Sequence, residues 1–294
     1  MILDNNILTP IPFYTDKKYQ DRYKYYGYGD IFPLFVLNTL AQPFQFSLPT
    51  TTVTIPSMKL VKLNADGSEG TPTTIPMAQL DIVSSVDGNR CYVVNKGTTG
   101  VSTFSTLEGR FYMTATETIN GVQTTFYSEV ITLVPSGSLS QYLKLEWWNT
   151  EPLVMDGGLI YYDGTNYKNV LYLPTTVGKP TYQFEEEGEE RNGYFFAEKQ
   201  ISRKQYVFNF LAPEYLCDAL RFLRMHDFVT VTENGITYEI NQIETDVEWQ
   251  TQGNLASVTV RFYCNTVAKA VGKMSASLSG GDYNDDYNDD FNNE

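Results

Sequence analysis

The order of apolar and polar positions is most decisive between Lys204 and Thr266. Tyr206, Phe208 and Phe210 alternate with polar neighbours such as Gln205 and Asn209, so Lys204–Leu211 has the period of a half-buried strand. Pro213 then suits the first turn of a helix, where a missing N–H costs nothing. Leu216, Ala219, Leu220 and Leu223 fall at i, i+3, i+4 and i+7 and make one apolar stripe. Glu214 and Arg224 match the two ends of the helix dipole. Ala212 is a poor N-cap, so packing must hold this helix. Phe228–Thr232 and Ile236–Ile243 follow as strands through Asn234-Gly235, a dipeptide suited to a two-residue hairpin turn. Leu255–Tyr263 completes the pattern with Val258, Val260 and Phe262 inward. The expectation is one helix laid on one small antiparallel sheet.

Upstream, short alternating runs recur at the spacing of a β-sandwich. They are Phe44–Leu48, Thr52–Ile55, Met58–Leu63, Gln79–Val83, Cys91–Val94, Arg110–Thr116 and Thr124–Val134. Asp66-Gly67, Asp87-Gly88, Lys96-Gly97 and Asn120-Gly121 punctuate them. The segment from Leu107 to Tyr112 resembles the tyrosine corner of immunoglobulin-like and fibronectin-type sandwiches. Pro135–Ser140 reads as a linker. Tyr142–Trp148 alternates again, with Trp147 and Trp148 on opposite faces, and turns at Asp156-Gly157 and Asp163-Gly164 mark a meander ending near Leu173. The chain is therefore expected to be mainly β with a small α+β part. An immunoglobulin/fibronectin-like β-sandwich precedes a β-meander and a strand-helix-hairpin-strand unit. The expected segments are an extended arm over 1–30, a sandwich over 31–137, an α+β domain over 138–272 and a tail over 273–294.

Charge changes the picture mainly at the ends. Of the net −14, six negative charges fall in the last 13 residues, which leaves −8 on residues 1–281. A mildly acidic body lacks the basic footprint that nucleic-acid binding needs. The tail repeats a unit of Asp, an aromatic residue and Asn, with Tyr283, Tyr287 and Phe291 evenly spaced. Such a composition is disordered in isolation and suits docking on a basic, aromatic-lined groove. At the other end Tyr19, Tyr23, Tyr25 and Tyr26 interleave with Lys17, Lys18, Arg22 and Lys24. That mixture can stack on single-stranded nucleic acid. Asp16, Asp21 and Asp30 dilute it, which favours an arm that packs on its own body or on a neighbour. Glu185–Glu190 is acidic at all positions but Gly188 and reads as a solvated, mobile loop or a contact for a basic partner. The 22 Tyr and 17 Phe are either interface residues or simply good strand formers.

Reactive chemistry is sparse. Three Cys at wide spacing suggest buried reduced thiols rather than a disulfide framework or zinc site. His226 is the single histidine, and its place just past a helix end suggests an interaction with the dipole rather than catalysis. Phosphate-loop, dinucleotide and metalloprotease motifs are missing. Glu146 beside Trp147 and Trp148 is the remaining carboxylate candidate for glycoside chemistry. No signal peptide and no bilayer-spanning run are expected, and no enzyme activity, cofactor or metal site either.

Three stretches carry a resemblance: Leu143-Lys-Leu-Glu-Trp-Trp148, the run from Phe184 to Gln200, and the run from Phe208 to Arg221. They resemble virion proteins of tailed phages of Bacteroidales, including the crAss-like group. The resemblance spans roughly residues 30–272. It implies a structural subunit of the neck or tail: a ring, an adaptor or a tail hub. Such a protein would be made in the bacterial cytoplasm and built into the virion as a cyclic homo-oligomer. Portal and adjacent ring or tail proteins would be its neighbours, with genomic DNA passing through the lumen. The partner-binding residues expected under this reading are Tyr19, Tyr23, Tyr25, Tyr26, Trp148, Glu185, Glu186, Glu187, Tyr283, Tyr287 and Phe291. The alternative is a collar or fibre adaptor, or a carbohydrate-binding module that contacts the host surface through Trp148 and exposed Tyr.

Overall fold

The computed structural model describes residues 9–17, 32–38, 44–49, 57–75, 80–86, 89–94, 106–119, 121–135, 137–155, 158–162, 167–240, 242–249 and 255–270. The chain is mainly β, with several antiparallel sheets and, among the described residues, one short α-helix. Two compact units are distinguished. One is Met1–Thr181 with Gln205–Cys264, and the other is Tyr182–Lys204 with Asn265–Glu294, as far as these are described.

The first half of the larger unit is built on one long strand. In chain order the strands are β1 (Phe13–Tyr14), β2 (Leu34–Leu37), β3 (Phe44–Pro49), β4 (Ser57–Lys62), β5 (Thr73–Thr74), β6 (Leu80–Val86), β7 (Asn89–Val94), β8 (Gly109–Ile119), β9 (Val122–Ser128) and β10 (Ile131–Val134). On one edge of β8 lies β4, which in turn pairs with β5. Along the other edge run β9 and then β10, with Thr114 opposite Tyr127 and Phe111 opposite Ile131. Between those two pairs β8 advances three residues and its partner four, so one residue is extra there. The single strand expected over Thr124–Val134 is thus two strands broken at Glu129 and Val130, a β-bulge. Ser128 closes the gap: its hydroxyl accepts from Met113 N–H and donates to the Glu129 carbonyl. Beyond this broken strand, β1 pairs antiparallel with β9 and β2 pairs parallel with β10. Strands β3, β7 and β6 make a separate three-stranded sheet.

The second half continues with β11 (Leu143–Trp148), β12 (Leu153–Met155), β13 (Gly158–Ile160), β14 (Asn169–Leu173), β15 (Thr181–Arg191), β16 (Tyr194–Ala212), helix α1 (Glu214–Leu220), β17 (Phe228–Glu233), β18 (Ile236–Glu239), β19 (Gln242–Trp249) and β20 (Ala256–Ala270). The strand-helix-hairpin-strand segment does not share one sheet, contrary to expectation. The β17–β18 hairpin joins β11 and β14, in the order β14-β11-β17-β18, while the other sheet runs β15-β16-β20-β19. The strand expected through Ile243 ends at Glu239, and a new strand begins at Gln242. Among the described strands β12 and β13 pair only with each other, so they form an inserted hairpin between the paired β11 and β14.

Helix α1 follows its apolar pattern: Leu216, Ala219, Leu220 and Leu223 are fully buried. Pro213 is itself the N-cap and no side chain caps the helix, so packing holds it. Arg224 lies beyond the helix in a 3-10 turn, Leu223–Met225. Asn234 and Gly235 have φ of 49° and 79°, the left-handed pair of a type I′ turn. The main buried cluster of the larger unit runs from Ile11, Phe13 and Phe111 through Leu145 and Trp147 to Phe208, Leu220, Val258 and Phe262, with smaller clusters around Tyr162 and around Tyr112.

Residues 9–17 fall within the range expected to be an arm. They are extended, but Ile11 and Phe13 are as buried as any core residue. Pro12 supplies its carbonyl to Glu129 N–H. Lys17 is tucked against Glu69 at 2.6 Å, with its ammonium 5.4 Å from the Tyr127 ring centre. This stretch packs into the body of the larger unit, so removing it opens the core. Tyr19, Tyr23, Tyr25 and Tyr26, like Tyr283, Tyr287, Phe291 and the strand expected at Thr52–Ile55, lie outside the described residues.

Candidate functional site

Strands β15 and β16 form an antiparallel-sheet hairpin whose tip is Asn192-Gly193, with φ of 52° and 81°. The acidic run Glu185–Glu190 is therefore strand, not the mobile loop that its charge suggested. Two things override the charge. The turn dipeptide fixes the hairpin, and cations on β16 neutralise part of the row. Glu185 meets Arg203 at 3.2 Å, Glu187 meets Lys199 at 3.4 Å, and Glu186 accepts from Gln200 at 2.6 Å.

Within the smaller unit, no described side chain is buried. Tyr182, Phe184, Tyr194 and Phe195 are 74%, 63%, 72% and 55% exposed. Four large aromatics on a short hairpin is an unusual amount of apolar surface to leave in water. Ten residues of strand extend roughly 33 Å. Strand β16 is flanked by β15 on one side and by β20 on the other, yet with no buried side chain among its described residues this end of the sheet lacks the burial to be rigid by itself. Glu185, Glu186 and Glu187, expected as partner-binding residues, all lie on its outer strand β15. The outer side of β15 has no ladder partner among the described strands.

Trp148 is half-buried. Its ring stacks on Phe228 at 5.3 Å and 12°, and Lys168 Nζ lies 3.7 Å from its centre. Trp147 points the opposite way and is wholly buried, as the alternation requires. Glu146 is held by Lys144 at 2.7 Å. It is thus an ion-paired strand residue. Among the described residues, no three His, Cys, Asp or Glu side chains converge in the way a metal site requires.

His226 belongs to a buried polar chain. Tyr167 Oη donates to Asn169 Oδ1 at 2.8 Å, and Asn169 Nδ2 donates to Tyr162 Oη at 2.8 Å. Tyr162 Oη lies 2.7 Å from His226 Nε2, and His226 Nδ1 lies 2.7 Å from the Phe222 carbonyl oxygen. A carbonyl only accepts, so Nδ1 carries the proton and Nε2 accepts from the tyrosine. Burial lowers the His226 pKa, against the smaller opposing effect of the Phe222 hydrogen bond. The expected charge–dipole role is therefore corrected: the ring is neutral and serves as a hydrogen-bond bridge. Burial likewise raises the Tyr162 hydroxyl, and it lifts the Cys217 thiol to about 11. Cys217 and Cys264 are both buried and outside any disulfide, and Cys217 sits beside Asp218 and Glu214, the opposite of the electropositive setting that activates a nucleophile.

The chain matches no protein-family model and no curated protein. Among the described residues, no helix is long and apolar enough to cross a membrane.

Proposed function

We propose that this chain is a non-enzymatic structural subunit of a phage virion, set in a ring or adaptor of the head–tail neck or tail. The observation that carries the reading is the β15–β16 hairpin. It places Tyr182, Phe184, Tyr194 and Phe195 in solvent on a ribbon with no core of its own. Such a ribbon gains order when a partner covers it, which is what an assembling subunit needs. The same run, from Phe184 to Gln200, carries part of the resemblance to virion proteins of Bacteroidales phages. The neutral, buried histidine and the ion-paired Glu146 add no reactive centre to this picture. A net acidic body suits a surface past which DNA must slide without sticking.

The experiment is to purify phage particles and quantify the chain by mass spectrometry and antibody labelling in electron micrographs. Stoichiometric label at the neck or tail is the expected result. Particles that infect normally and contain none of the chain overturn the reading. A chain that turns over a substrate when purified, and loses this on Glu146→Gln, overturns it as well.

A further inference from the structure

We propose that the outer edge of β15 is a docking site for residues 20–26 of a second copy of this chain, added as an antiparallel strand. The inference rests on reading the chain as a self-assembling subunit and names the contact.

Strand β15 is an outer strand, exposed on both faces. An edge of this length offers a row of backbone donors and acceptors, and side-chain charge decides what pairs with it. Along β15, Glu185, Glu187 and Glu189 share one face, and Tyr182, Phe184 and Glu186 share the other. Two β15 edges meeting each other would oppose Glu to Glu, so self-pairing is disfavoured. Glu185 and Glu187 each already hold one cation of β16, yet their side chains remain 49% and 67% exposed. Each carboxylate has lone pairs left for a second donor.

The complementary sequence is in the same chain. Taken as an extended strand, Gln20-Asp-Arg-Tyr-Lys-Tyr-Tyr26 puts Arg22 and Lys24 on one face and Tyr23 and Tyr25 on the other. Antiparallel pairing has one register that suits every charge. Lys24 falls opposite Glu185, Arg22 opposite Glu187 and Gln20 opposite Glu189. On the other face Tyr25 meets Phe184 and Tyr23 meets Glu186. Asp21 meets Gly188, the one position in the run without a carboxylate. Sliding the strand by two residues sets Asp21 against Glu186 or Glu190, like charges directly opposed. Donor segment and acceptor edge are different surfaces of one chain, so the contact is head-to-tail and propagates to a ring or filament.

The test uses the full-length chain and sedimentation velocity over a wide concentration range. Wild type is expected to associate, more weakly at high salt. Glu185→Lys/Glu187→Lys and Arg22→Glu/Lys24→Glu should each weaken association by about tenfold or more, from two opposed pairs turned repulsive. Their equal mixture should restore it, since each reversed edge then meets a reversed segment. A second measurement needs no variant: carbodiimide cross-linking of mixed isotopically heavy and light chains should join Lys24 to Glu185 across the labels. Failure to associate, association unchanged by either variant, or Lys24–Glu185 cross-links only within one label overturns the docking. Association that persists in both variants does so while leaving the virion reading standing. Absence of the chain from particles strikes that reading instead.

Discussion

Gln45 holds the backbone of Tyr161 at both of its polar atoms: Nε2 donates to the Tyr161 carbonyl at 3.1 Å, and Oε1 accepts from the Tyr161 N–H at 2.9 Å. A side-chain amide here imitates one rung of a β ladder across 116 residues of sequence. It ties β3 to the segment after β13, which no regular sheet joins to it among the described strands. Gln45 is only 3% exposed, so truncation leaves buried groups unsatisfied. Gln45→Ala should lower unfolding stability by about 3 kcal/mol, read from the denaturant midpoint. A midpoint within error of wild type would show that water replaces the amide at no cost.

The His226 bridge makes stability pH-dependent. Its folded pKa lies below the ordinary 6.5, because burial disfavours the charged ring. Above about pH 6.5 both states are neutral and the group contributes no slope. As pH falls through 6.5 the unfolded chain binds a proton that the folded chain does not, so stability drops. The drop approaches about 1.4 kcal/mol per pH unit until the folded pKa is reached. Urea unfolding between pH 7.5 and pH 5.5, approximate limits that bracket the ordinary value, should show this decline. His226→Asn should flatten it.

Ile11 and Phe13 set where the N-terminus can be shortened. Deleting residues 1–8 removes none of the described core and serves as the reference. Deleting 1–17 removes two side chains that are 2% and 1% exposed, together with β1. The expected loss is about 3–6 kcal/mol from burial of the two side chains. Thermal unfolding of the two truncations separates these outcomes, and equal melting temperatures would contradict the packing described.

Gly193 tests whether the hairpin has a stability of its own. With φ of 81° it occupies the left-handed region, where a β-carbon costs roughly 1–2 kcal/mol. Gly193→Val should speed amide exchange across Tyr182–Lys204 several-fold. The core amides near Phe208 and Val258 should keep wild-type protection, because no described residue of that unit is buried. Loss of core protection in this variant would show that the hairpin supports the larger unit.

Local order was largely written in the chain, and sheet partners were not. Tyr206 and Phe208 on β16, and the Leu216 stripe on α1, follow from periodicity, and all are buried. Asn234-Gly235 announces its turn. Nothing local says that β17 pairs with β11 rather than with β20, because a strand's two faces read alike whichever neighbour it takes. The bulge at Glu129 and Val130 hides inside a run that still alternates on either side. The hairpin illustrates a missed sign. Asn192-Gly193 was there to be read, but the glutamates around it lack the apolar alternation by which strands are recognised. His226 meets Tyr162 across 64 residues, a pairing with no short-range pattern at all.

The broken strand β9–β10 also dictates a sequence of events at the ribosome. β1 and β2 emerge early, yet their ladder partners among the described strands lie in residues 122–134. For some hundred residues of translation β1 and β2 lack the strands they pair with, although core partners such as Phe44 and Leu60 are made sooner. Closure must await the return limb of β8, so the amino-terminal residues lock last among the strands they touch, and the nascent protein spends that interval open to chaperones.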